Sequence, residues 1–445
     1  LGSRKEVFTF LLFLLIACSS EKTLMHFGLH LTAKNFLRKE VRMKAQLVVW
    51  VAIAGLLCVP FPSRAAEVKL TSSTQYLWFN DIILDDDVET VAQYLRLNVS
   101  KMDAAGNVTI AGYGRATKQF TSGEDVEGRL YYFYLNYRNL IQDVLDVKLG
   151  RHFVYFPSGS GLVDGATLDF KRMGPLGLKL LAGRDVKFVA ERNEITGAKD
   201  RLTGASLYTD AVRRTHIEAS YMLREDDGDT AREIVGGSFS TYLPGNVSVY
   251  ADTKYDLLTE STSELLTGLK FAPAEKLTLK GEYYQSFPQF DATSIFSVFA
   301  VNKYTEKLIA AEYQMTGAYR LALSYAREDF NDGENADLYE AGITARPSAN
   351  LLFDVSYSMR NGFGGELDGL RFHGTYARGK NSFAAGADIA DYRRDSVRSD
   401  TAKKYWVGAA HKFSPDVSAT ARVENNVNVN FAHNYQGVVT LNANF

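Results

Sequence analysis

The sequence predicts an all-β protein: one transmembrane antiparallel β-barrel of about 22 strands, within a range of roughly 16 to 24 set by its weaker segments. Three observations predict it. Apolar and polar residues alternate with period two through successive segments of roughly 10–13 residues, long enough to cross a bilayer on a tilt. The connections alternate between tight turns rich in Gly, Pro and Asn and longer acidic loops. Aromatic residues and glycine abound, with 25 Tyr, 27 Phe and 35 Gly against 9 Pro and 2 Cys. Yet beyond residue 66 no run has the roughly 18 apolar residues of a membrane helix.

Taken in order, residues 67–79 set Val68, Leu70, Tyr76 and Trp78 on one parity. Residues 89–101 align Val91, Leu95, Leu97 and Val99 against Arg96 and Asn98. Segment 107–119 follows a short turn at Asp103 and Gly106, and Tyr131, Phe133, Leu135 and Tyr137 then share a face. Segments 147–155, 166–173, 178–188 and 202–210 are weaker strands. Alternation sharpens again at Ile217, Ala219, Tyr221 and Leu223, then at Val247, Val249 and Ala251, and at Leu277, Leu279 and Tyr283. It returns at Leu321 and Leu323, over Leu351, Phe353, Val355 and Tyr357, and at Leu370, Phe372 and Tyr376. Tight turns are expected at Gly174-Pro175, Pro244-Gly245, Ala272-Pro273, Gly317, Pro347, Gly379 and Pro415. Longer acidic loops are expected at 224–230, 328–336 and 391–401. An even strand number brings both chain ends to the rim of the short turns. Lipid cannot satisfy a bare strand edge, so the last strand must pair with the first.

That last strand ends Tyr435, Gly437, Val439, Leu441, Ala443 and Phe445 on one parity, with Thr440, Asn442 and Asn444 on the other. It resembles the closing strand of bacterial outer-membrane β-barrels. The resemblance implies that Tyr435, Val439, Leu441 and the terminal Phe445 act as the assembly signal read by the barrel-assembly machinery. A second stretch, Leu149-Gly150-Arg151-His152-Phe153-Val154 followed by Gly161-Leu162-Val163-Asp164-Gly165-Ala166, is similar to a Leu-Gly-Arg-Gln…Asp-Gly pattern of Gram-negative porin-like proteins. His152 stands where that pattern has Gln. The resemblance implies short periplasmic turns, longer extracellular loops, and an early loop folded inward as an eyelet. Residues 156–163 are the candidate for that loop, and the apolar segment 288–303 is its rival.

Residues 43–66 read as a Sec signal peptide. A basic start at Met43-Lys44 leads into an apolar run to Val59, Pro60 and Pro62 break it, and small residues precede a cleavage site after Ala65 or Ala66. Residues 1–42 read as an over-extended gene start, absent from the mature protein. The expected mature chain is thus a single barrel over 67–445. Cys18 and Cys58 both precede it, which suits an oxidising periplasm. No Cys-x-x-Cys-His attaches a haem.

Nothing in the pattern points to an enzyme, a cofactor or a metal site. His152, His216, His373, His411 and His433 are scattered, with no Gly-x-Ser-x-Gly nucleophile motif beside them. Acidic residues outnumber basic ones after residue 65, which is no balance for nucleic acid. By alternation, Arg96, Arg115, Lys148, His152, His216, Glu218, Arg224, Asp252, Lys254, Lys280, Glu282, Glu312, Asp354, Arg360, Arg371, His373, Arg422 and Glu424 face inward. Facing lipid, each charge near the midplane would cost about 2–4 kcal/mol. Mixed signs suggest a wet pore with transverse fields.

The expectation is an outer-membrane, porin-like channel through which small hydrophilic solutes diffuse passively. Its surroundings would be lipid and lipopolysaccharide. The alternative is a barrel that sheathes a multihaem cytochrome, as in porin–cytochrome electron conduits.

Overall fold

In the computed structural model, the described residues are 66–445 except 82–85, 122–125, 189–196, 198, 288–290, 293–302, 331–332 and 394–398. The expected signal peptide and gene-start segment lie outside them. The chain forms 22 strands. The first eleven are β1 (Glu67–Asp81), β2 (Asp86–Ser100), β3 (Val108–Gln119), β4 (Glu127–Ile141), β5 (Leu145–Phe156), β6 (Gly159–Met173), β7 (Leu176–Asp185), β8 (Arg201–Thr209), β9 (Thr215–Asp226), β10 (Asp229–Leu243) and β11 (Val247–Asp256). The rest are β12 (Ser261–Ala274), β13 (Leu277–Ser286), β14 (Tyr304–Thr316), β15 (Tyr319–Phe330), β16 (Asn335–Ser348), β17 (Leu351–Gly362), β18 (Glu366–Arg378), β19 (Asn381–Arg393), β20 (Ser399–Lys412), β21 (Val417–Asn428) and β22 (Phe431–Asn444).

Each strand pairs antiparallel with the next, and β22 returns to β1 with Val439 opposite Tyr76 and Asn444 opposite Thr71. Beyond the ladder, Phe445 and Leu70 exchange both backbone hydrogen bonds, at 2.8 and 3.0 Å. No free edge remains at this junction, as a lipid environment requires. Opposed residues of an antiparallel pair share a face, so the registers carry one parity around the barrel. The outer face holds exposed apolar side chains such as Phe133, Leu149, Leu207, Ile309, Val407 and Val439. The inner face holds most of the charged residues.

The connections on the rim of the chain ends are tight, as expected. The opposite rim differs from expectation. The loop expected at 224–230 is a two-residue turn. Asp227 (φ 50°) and Gly228 (φ 93°) both adopt the left-handed conformation that hairpin turns need, and β9 and β10 stay paired up to Asp226 opposite Asp229, with one bulge between Thr230 and Arg232. At 328–336 and 391–401 the strands likewise extend to Phe330 and Arg393 before turning. The long connections are instead 186–200 and 287–303. Most of the apolar run expected as a rival constriction lies outside the described residues.

One pair of strands leaves the wall. The ladder between β4 and β5 stops at Phe133 opposite Arg151, although β4 continues to Glu127 and β5 to Phe156. The upper β5–β6 hairpin crosses the inner face of β7, β8 and β9 and reaches β10. Around it forms a small apolar core of Val154, Phe156, Val163, Leu181, Leu202 and Met222. Val163 and Leu202 are fully buried there. Burying such side chains away from water contributes about 1.5–3 kcal/mol each.

Candidate functional site: the lumen wall and its inward hairpin

The hairpin starts at a crease. Gly150, Gly165 and Gly183 are directly opposed on β5, β6 and β7, so one transverse row of the wall has no side chains. Gly150 adopts φ 111°, and a side chain there would come within 2.5 Å of the Phe133 carbonyl oxygen. At the foot of the hairpin the Arg151 guanidinium donates two hydrogen bonds of 2.7 Å to the Asp164 carboxylate. A third, of 3.1 Å, goes to the Leu130 carbonyl on β4. Such bidentate pairing is rigid and directional. Arg151 thereby ties β6 to the β4 edge where β5 has departed.

At its tip the hairpin turns through Pro157 and Ser158. The Ser158 backbone N–H donates to the Ser220 hydroxyl at 2.8 Å, and that hydroxyl donates to Ser158 Oγ at 2.9 Å. On β10, Gly236 provides the clearance, since any side chain there would collide with the Pro157–Ser158 backbone. Residues 156–163 thus do enter the lumen, but as paired strand and tight turn rather than as an irregular eyelet loop.

Two of the residues expected to line the lumen serve this hairpin. His152 has the inward parity yet is only 1% exposed. Its ring nitrogens meet the Gly150 carbonyl at 2.8 Å and Thr167 Oγ1 at 2.7 Å, so it is a covered brace, not a lining residue. Arg224 pairs with the buried Asp185 at 3.0 Å and reaches the Ser160 carbonyl at 3.3 Å.

The remaining candidates share the inward parity and fall into two groups. Most are paired along the wall. Glu218 meets Lys179 and His216, each at 3.3 Å. Lys254 meets Glu264 at 2.7 Å and Lys280 meets Glu282 at 2.6 Å. Arg371 meets Asp388 at 3.3 Å, and Asp354 accepts from Thr344 at 2.8 Å. Arg422 meets Glu424 at 2.8 Å and lies over the Trp406 ring, which also faces His373. Asp252 sits between Ser238 and Leu266.

The second group is different. Arg96 on β2, Arg115 on β3 and Lys148 on β5 border inner positions of β2, β3 and β4 (90–98, 109–117 and 129–136) that hold no acid. Their neighbours are tyrosines. Tyr94, Tyr113 and Tyr131 stack in series, with centroids 6.2 and 4.9 Å apart. The Arg96 guanidinium lies over Tyr113 and donates to the Tyr132 hydroxyl at 3.1 Å. Lys148 lies 5.2 Å from the Tyr134 centroid.

Sequence reasoning missed this tyrosine ladder. It weighed charges strand by strand, whereas the ladder exists only across strands. A β4 bulge, between Tyr113 and Gly114 on its partner strand, adds Tyr131 to the row. Sequence reasoning also missed the acids Glu306, Glu328 and Glu340 on β14, β15 and β16, nearly half the barrel away from the basic strip. Glu328 there pairs with Arg360 and accepts from Tyr304 at 3.0 Å. One inner sector is therefore basic and aromatic, and the sector roughly opposite is acidic.

No family model and no curated protein matches this sequence. Solved structures do. OccK5 (OpdH) of Pseudomonas aeruginosa is 11% identical, covering 86% of this chain and 98% of its own, with a TM-score of 0.45. The outer membrane protein OpdK of the same organism is 10% identical, covering 85% and 98%, also with a TM-score of 0.45. The E. coli P pilus tip assembly intermediate PapC-PapD-PapK-PapG is 11% identical, covering 87% of this chain and 62% of that one, with a TM-score of 0.51. In fold, the chain is a closed 22-strand antiparallel β-barrel, and it shares that barrel architecture with the pilus assembly structure matched at a TM-score of 0.51.

Proposed function

We propose that the protein is a passive outer-membrane channel for small hydrophilic solutes, with an anion-favouring path along β2–β5. The mature chain on this reading is the barrel from residue 67, exported by the signal peptide at 43–66. The observation that carries the path is the strip of Arg96, Arg115 and Lys148, set among stacked tyrosines with no acid along residues 90–98, 109–117 and 129–136 of the three neighbouring strands. Outside this strip and the acidic sector of β14–β16, most wall charges meet in short pairs, so those stretches offer a passing ion hydration but little net field. At the strip the field is uncancelled, and the low-dielectric wall focuses it. Tyrosine faces offer planar solutes an apolar surface, and their hydroxyls offer hydrogen bonds. The mechanism is filtration by width and field, with no chemical step.

Sheathing a cytochrome fits less well, because the hairpin already occupies the inner face of β7–β10. Purified barrel in planar bilayers tests the reading. The expected result is ohmic single-channel steps whose reversal potential in a salt gradient favours anions. Replacing Arg96 and Arg115 together by Glu is expected to move that potential towards cations. Absence of steps from correctly folded protein would overturn it.

A further inference from the structure

We propose that the upper β5–β6 hairpin is a two-position gate: docked on the inner wall it narrows the lumen, and zipped onto β4 it rejoins the wall and widens it. The inference deepens the channel reading and rests on it for its consequence, though not for the motion.

Two backbone edges carry the argument. Among the described residues, no strand pairs with residues 127–132 of β4 on the side that β5 leaves, and none pairs with residues 152–156 of β5 on the side that β4 leaves. These edges belong to sequence-adjacent, antiparallel strands that already pair below, from Phe133 opposite Arg151 downwards. Extending that ladder needs one register shift, at the bulge that β4 already carries. Carried past the β4 bulge, it sets Leu130 opposite Phe153 on the outer face, where both are already exposed and apolar. Tyr155, 74% exposed, follows on the same side. The outward side of the hairpin thus has the chemistry of the lipid-facing wall although it now stands behind the wall line.

The hinge is also present. The row Gly150, Gly165 and Gly183 lets three strands fold together without side chains in the crease. Each position has its own hold. The docked hairpin has the Ser158–Ser220 bonds and the apolar core; the zipped hairpin gains ladder bonds to β4. Arg151 bonds both strands at the pivot and can serve in either. Phe188, three residues past β7, is what zipping must displace: it now packs against Tyr131, centroids 6.0 Å apart, and beneath Arg129. Packed elements of this kind switch between discrete positions rather than deforming smoothly.

Engineered disulfides test the gate, because residues 66–445 contain no cysteine. The pair S158C and S220C would lock the docked position. The pair L130C and F153C would form only when the hairpin zips. Under mild oxidation, L130C/F153C is expected to cross-link in folded barrels, read by mass spectrometry, and to give a single larger conductance level. Oxidised S158C/S220C is expected to show one small level, and its reduction to add transitions to the larger one. No L130C/F153C cross-link, in protein that keeps heat-modifiable mobility, would overturn the gate. So would equal conductance of oxidised and reduced S158C/S220C. A cross-link without conductance in any form would retain the motion and sink the channel reading instead.

Discussion

At the scale of single residues, the inner wall shows how one side chain decides whether a second layer fits. Gly236 leaves room for the Pro157–Ser158 turn, and Ser220 supplies the hydrogen bonds that seat it. Replacing Gly236 by Val is expected to unseat the hairpin while leaving the strand ladder intact. The single-channel conductance should rise and heat-modifiable mobility should stay. Phe156→Ala removes the largest side chain of the small core and should cost roughly 3 kcal/mol of docking, in line with other buried aromatic truncations. Hydrogen exchange of β5 amides above Arg151 would report it, with faster exchange there than in β12. Neither effect is visible from residue type. Gly236 reads as one more glycine in a strand until the register of a hairpin some eighty positions earlier is known.

At the scale of elements, alternation made the strands legible because each has one face in lipid and one in water. It failed where a strand has neither. His152 and Arg224 have the inward parity, but a protein layer covers them, so periodicity took them for lining residues. Acidic content misled about the loops for a related reason. The run of Asp226, Asp227 and Asp229 suggests a solvated loop, yet a tight turn with two left-handed residues accommodates it directly between the paired ends of β9 and β10. The carboxylate that fastens this turn is Asp200. It accepts the Asp227 N–H at 2.9 Å and the Gly197 N–H at 2.6 Å. These donors, Asp227 first, hold its carboxyl below the usual carboxylate range. A depressed carboxyl stabilises its surroundings above the ordinary pKa and loses that contribution as pH falls through the depressed value. Limited proteolysis within 186–200 is therefore expected to be slow at neutral pH and to accelerate in strong acid. D200A should be cleaved rapidly at neutral pH already; equal cleavage of the two proteins would contradict this latch.

At the scale of the whole molecule, closure depends on the β1–β22 seam, and its lipid side is Tyr76, Val439, Leu441 and Phe445. A lysine in place of Val439 would bring a charge to the lipid face at a cost of about 2–4 kcal/mol. Deleting Phe445 removes the last pair of backbone bonds to Leu70 and, on the assembly-signal reading, impairs insertion. Loss of heat-modifiable, surface-exposed protein in cells is the expected result for the deletion. The seam was legible in the sequence because a closing strand must satisfy both lipid and lumen within a few residues. The tyrosine ladder was not, since it is a property of neighbouring registers.

The inward hairpin also means that the barrel has no single circumference. A horizontal cut below the Gly150 row crosses twenty-two wall strands. Above that row β5 has left β4, β6 keeps its ladder to β7 only as far as Val163 opposite Asp185, and the tip of the hairpin stands inside the ring against Ser220. The bore therefore tapers towards the rim of the longer loops. On the channel reading, solutes arriving from that side meet the tightest girth first, and anything that clears it travels on through a wider passage.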